Sequence, residues 1–238
     1  MEPGAAVADA EVVLVGADDA SIQEVASALA PHLRADAVVV HFAGSLGLEP
    51  LAAAIEAGAS GAALHPVQAC PDVDAALARL PGSAWGVTAG DEVQEWARVL
   101  ITDDLQGSPV IVPEDARPLW HAAAVLTSNG IAALLSIGES LLGSISIARP
   151  EEVLAPLAHG TVQNAIEGGG GGATLTGPIV RGELETLARH IRAIEERDPA
   201  LLPAFIEGAR LILRAAQATG RIAPETIGDW DRLLGAKG

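Results

Sequence analysis

The stretch VLVGADDASIQEVASAL, Val13–Leu29, decides how the chain is read. A short apolar run leads into a turn with two acids, Asp18 and Asp19. A segment with apolar residues at helical spacing follows. Strand, turn and helix in this order form the repeating unit of a parallel sheet. In sheets that bind dinucleotides, such a unit usually follows a glycine-rich phosphate turn. Only MEPGAAVADAEV stands before it here.

Outward from this unit the first half keeps alternating. Candidate strands are Glu11–Val15, Ala37–Phe42, Ala62–His65, Ala84–Ala89 and Pro109–Val112. Helical patterns occupy Ser21–Leu33, Leu48–Ala57 and Glu92–Ile101. The expectation is a doubly wound, mostly parallel α/β sheet whose last two strands can include an antiparallel edge. From about Glu114 the strand pattern stops. Helices are expected at Asp115–Ile147, Pro150–Glu167, Gly182–Arg197, Pro199–Thr219 and Pro224–Leu234. The expected domains are 1–113, an α/β layer, and 114–238, all helical.

The chain has 238 residues and is half hydrophobic, which supplies a sizeable core. Its formal net charge is −17, so it repels phosphate backbones, and nucleic acid is excluded as a partner. Cys70 is the only cysteine, so no intrachain disulfide forms. The N-terminus is acidic and lacks a basic signal region, which fits a cytoplasmic location. Ala122–Ile137 is long and apolar, but Thr127, Ser128, Asn129 and Gly130 interrupt its middle. A buried central helix is expected there, not a membrane span.

Several polar residues follow strands, where α/β sheets hold ligands. Asp18 and Asp19 follow the first strand, after Gly16; His41 ends the second, with Ser45 behind it, and His65 ends the third. The acids and the histidines have structural alternatives: Asp18 or Asp19 as a helix cap, and His41 or His65 bonded to backbone. On the long helix, His121 and Ser128 lie within about 20° of each other and Asn129 about 80° from His121. That polar stripe can line a cleft or be satisfied structurally. EGGGGGATLTGP, Glu167–Pro178, lacks the lysine of a phosphate loop and reads as a flexible connection between helices. Asn164 precedes it, and Thr176 and Arg181 follow its glycines. A helix start behind Arg181 can receive a carboxylate, with Arg181 as a clamp. The alternative is a plain turn with Arg181 on the surface. No zinc spacing is present, and no metal is expected.

Taken together, HFAGSLG, ALHPVQAC, LWHAAAVLTSNGIAALL, HGTVQN and LTGPIVRGE resemble, in order and spacing, the Rossmann-like proteins that carry a domain of unknown function 2520. The resemblance runs from about Asp9 to about Ile212. It implies kinship with 6-phosphogluconate dehydrogenase-like reductases, a nicotinamide-binding first domain, a helical dimerisation domain and a cleft between them. Members of the family begin with a strand and a G-x-G-x-x-G turn, neither of which occurs in this sequence. DAEVVLVGADD looks like a later strand of the family's sheet. The phosphate loop would belong upstream of it.

Two functions follow as expectations. One is an NAD(P)-dependent oxidoreductase acting on a small carboxylate. Its catalytic residues would be His65, His121, Ser128 and Asn129, with Ser45, Asn164, Thr176 and Arg181 on substrate and Gly16 and Asp18 near the nicotinamide. One histidine would serve as acid or base. The other is a non-catalytic binding or assembly module. In either case NAD or NADP is expected to bind this chain weakly, and a homodimer through the helical half is expected.

Overall fold

The computed structural model describes residues 3–235. It forms two compact units, Met1–Ser128 and Asn129–Gly238.

The first unit opens with a short helix, α1 (Pro3–Val7), then β1 (Val12–Val15) and α2 (Ile22–Leu29). Next come β2 (Val38–His41), α3 (Ala52–Glu56) and β3 (Ser60–Pro66). A helix absent from the expectation, α4 (Val73–Arg79), separates β3 from β4 (Ala84–Ala89). Its start is fixed by Asp72, whose carboxylate accepts from the Ala75 N–H at 2.8 Å. Then follow α5 (Asp91–Val99), β5 (Ser108–Ile111) and the first half of α6 (Arg117–Ser144).

The five strands lie in the order β1-β2-β3-β4-β5. β1, β2 and β3 are parallel, β4 is antiparallel to β3, and β5 is parallel to β4. The last pair therefore runs against the first three strands. Alternation along the strands divides the core. Val13, Val15 and Val39 face α2 and α3, whereas Val40, Leu64, Trp85 and Val87 pack with Ala97 and Ile101 on the other side.

The second unit contains the rest of α6, α7 (Pro150–Glu167), α8 (Gly171–Thr174), α9 (Leu184–Arg197), α10 (Leu202–Ala218) and α11 (Ile227–Gly235). The glycine run is thus partly helical. The core here comes from α9, α10 and α11, where Leu187, Ile191, Ile206, Leu213 and Trp230 are buried together.

The long helix differs from the expectation of a buried one. Glu114–Ser144 contains an 18-residue window of mean hydropathy 1.4, none of it buried, and is long and apolar enough to cross a membrane by length and composition. Leu119 and Leu126 are 76% and 67% exposed. Apolar residues all round this helix require cover; Leu141 is partly covered by the α9–α11 core, but Leu119, Val125, Leu126, Ile131 and Leu134 stay exposed.

Candidate functional site

The pairing registers place the polar residues of the first unit. His41 pairs with Ala63, and His65 pairs with Gly86. Because side chains alternate along a strand, His41, Ala63, His65 and Gly86 share one face of the sheet, opposite Leu64 and Trp85. His65 lies near the carboxyl end of β3, and the loop after β2 passes beside it.

Residues at the start of α6 complete this cluster. The Trp120 indole lies over Gly86, where a Cβ would come within 2.6 Å of the ring. Its Nε1–H donates to Nδ1 of His65 at 3.0 Å. His121 sets its ring edge-on to His65, with centroids 5.4 Å apart and planes at 85°. Gly44 closes against both histidines. A Cβ there would lie 2.8 Å from His65 Nε2 and closer still to Cδ2 of His121. The histidines thus fill space that any side chain at position 44 would occupy.

Arg117 anchors the arrangement. It is fully buried. Its Nε donates to the Leu46 carbonyl at 2.9 Å, Nη1 to the Gly86 carbonyl at 3.1 Å, and Nη2 to the Ala43 carbonyl. One side chain therefore ties the 43–46 loop to β4 and to α6. Among the described residues no carboxylate comes within ion-pair distance of it. Burial lowers its pKa, with Glu114 opposing. Glu114 in turn accepts from the Leu48 N–H at 2.6 Å. A guanidinium stays charged in proteins, so the cluster sits beside a buried positive charge.

These surroundings set the histidines. Burial, the Arg117 charge and His121 together push His65 down to about 4, with Asp19 pulling the other way. His41 is also lowered, mainly by burial and against the pull of the Gly47 carbonyl. His41 takes its structural alternative. Its Nε2 bonds the Gly47 carbonyl at 2.7 Å, and its Nδ1 accepts from the Ala43 N–H at 3.2 Å. Both nitrogens are engaged, and the residue shapes the loop.

The other sequence candidates lie as follows. Ser45 is half-buried, next to Gly44. Gly16 is exposed, with open space where a Cβ would stand. The Asp18 carboxylate accepts from the Ser21 N–H at 3.1 Å and the Ser21 hydroxyl at 3.0 Å. Asp18 is thus engaged in ordering the turn into α2. Ser128 and Asn129 are exposed on α6.

In the second unit, Asn164 is exposed late in α7, and its carbonyl accepts from the Gly168 N–H at 2.8 Å. Arg181 is exposed and holds Glu183 through both Nε and Nη2, at 2.6 and 3.2 Å. That pairing places an acid just before α9. Thr176 edges an apolar cavity of about 280 Å³ lined by Leu134, Leu141, Ile179, His190 and Phe205. No group of three potential metal ligands is found among the described residues.

Sequence reasoning missed Arg117, Trp120, Gly44 and Gly86. The first two stand in RPLWH, within the long helical pattern, and the glycines acquire meaning only through rings that reach them from α6.

The family model of DUF2520, a domain of unknown function, matches residues 83–212. A protein of Thermotoga maritima is similar in structure, with TM-score 0.71 and 25% identity over 88% of this chain and 79% of its own. A Bacteroides fragilis protein provisionally assigned as an NADP oxidoreductase has TM-score 0.69 and 20% identity, covering 86% and 75%. The reductive aminase of Aspergillus terreus, in complex with NADPH and ethyl-5-oxohexanoate, has TM-score 0.61 and 19% identity, covering 92% and 77%. No curated protein matches the chain.

Proposed function

We propose that this chain, which belongs to the DUF2520 family, is an oxidoreductase-type protein acting on a small carboxylate, in a reaction class that uses NAD or NADP. The observation that carries the reading is the His65–Trp120–His121 cluster at the carboxyl end of β3, beside the buried charge of Arg117. Ligands of α/β sheets sit at that end of the strands. A cation without an acidic partner favours an anionic ligand, and two imidazoles beside it offer hydrogen bonds. Ser45, next to Gly44, is the adjacent hydroxyl. The likeness in fold to NADP- and NADPH-linked proteins supports the reaction class.

The residues after β1 do not fit a dinucleotide's pyrophosphate. The turn from β1 into α2 carries two acids, Asp18 and Asp19, and Asp18 is bonded to Ser21, so this turn does not receive a phosphate. These acids favour a second reading, a binding module that keeps the histidine site without holding a cofactor.

Calorimetry with NADH and NADPH separates the readings. The chain is expected to bind either weakly or not at all. Micromolar affinity would refute that expectation and favour the enzyme. We also propose that a second copy covers the apolar surface of α6, giving a cytoplasmic homodimer; the exposed free Cys70 fits a reducing compartment.

A further inference from the structure

We infer that Trp120 is a positioning residue that locks His65 as the neutral tautomer with its proton on Nε2, so that the site presents a fixed hydrogen-bond donor to an oxygen acceptor of its ligand. The assignment of a ligand rests on the function proposed above; the tautomer does not.

An indole N–H can only donate. Trp120 Nε1 stands 3.0 Å from His65 Nδ1, so that nitrogen must carry the lone pair and accept. In a neutral imidazole the remaining proton then lies on Nε2. Protonating the ring would place a second N–H against the indole N–H and break the bond. The charges around the ring act in the same direction. Arg117 and His121 face it from α6, and Asp19, after β1, is the acid that opposes them. Nε2 faces Gly44, whose missing side chain makes room for the rings of His65 and His121. Among the described residues no acceptor is bonded to Nε2, so a ligand oxygen that reaches the ring would meet an unshared donor.

The chemistry that follows differs from acid or base work. A histidine that shuttles protons must titrate near the working pH. With a pKa of about 4, His65 carries the extra proton in only about 1% of molecules at pH 6, against about 76% for an ordinary histidine near 6.5. His65 instead donates one hydrogen bond in a direction set by the indole. It suits a carbonyl or carboxylate oxygen and disfavours an ammonium group.

The test is a long-range proton–nitrogen NMR spectrum of the ¹⁵N-histidine-labelled full chain between pH 5 and 8. His65 is expected to show the Nε2–H pattern throughout, with no titration in that range. Titration near 6.5, or a mixture of tautomers, would overturn the inference on the wild-type protein alone. In the folded Trp120→Phe variant the donor is gone, so the Nδ1–H form should become populated and the midpoint should rise. An unchanged His65 pattern in that variant would also overturn it. His41 serves as the internal control, because its Nε2–H form depends on backbone partners and should not respond. Failure to bind any carboxylate would defeat the proposed function and leave the tautomer assignment standing.

Discussion

Replacing Arg117 by Met removes the charge and all three hydrogen bonds while keeping much of the side-chain length. The bonds end on the carbonyls of Ala43, Leu46 and Gly86. A buried acceptor that loses its partner costs about 1–3 kcal/mol, so three would cost ~3–9 kcal/mol if all stayed dry. Two effects reduce this. Leu46 is only half-buried, so water can reach its carbonyl. Removing the guanidinium also removes the cost of burying a cation with no carboxylate beside it, several kcal/mol in general. A net loss of about 2–4 kcal/mol is expected, a large share of the roughly 5–15 kcal/mol that stabilises a domain. Arg117→Lys keeps the charge but lacks the planar fork that reaches three carbonyls, so its loss should be smaller yet clear. Urea unfolding of both variants gives the magnitude, and hydrogen exchange of the 43–48 amides shows whether the loop has come loose. Wild-type stability in Arg117→Met, with unchanged exchange in the loop, would refute the anchoring role.

Three further outcomes follow from the same geometry. Gly44→Ala would place a methyl 2.8 Å from His65 Nε2, so a ring must shift; a loss of about 1–3 kcal/mol, the usual cost of overpacking, should appear in urea unfolding together with displaced His65 and His121 NMR signals. Between about pH 6.5 and about 4 the unfolded chain takes up the His65 proton and the folded chain does not, so stability should fall as pH is lowered through that window. His65→Asn should flatten that slope without abolishing it, since His41 is shifted in the same direction; an unaltered slope would count against the assignment. Leu126, 67% exposed on α6, should be covered in the dimer, so Leu126→Asp should shift light scattering from dimer to monomer, and a wild-type monomer at all micromolar concentrations would dispose of the dimer.

Much of the architecture is legible in the residues because it rests on local periodicity. The helix Pro150–Glu167 and the strand Ala84–Ala89 follow directly from their patterns. α4 is harder to see, since PDVDAALARL is short and its main sign is the cap at Asp72. The site is only half legible. Strand-end position points to His65, and helix position points to His121. Whether a strand-end histidine is a ligand group or a brace depends on what returns to it through space. His41 meets two backbone groups of its own loop, and His65 meets an indole 55 positions away. A buried arginine at the start of an apolar helix carries no local signal either, because its partners are carbonyls of the 43–46 loop and β4. The exposure of α6 is illegible for a related reason: an apolar pattern states that cover is needed and is silent on which chain provides it.

Binding of a small carboxylate at the histidine cluster is the central claim. Chemical-shift mapping of the labelled full chain during a titration with pyruvate, as a minimal carboxylate with a carbonyl oxygen, tests it most directly. The expected result is saturable shifts concentrated on Gly44, Ser45, His65, Trp120 and His121, weakened at least tenfold when Arg117 is replaced by Met in the folded chain. Saturable shifts confined to the second unit, or no saturable shifts at all, would contradict it.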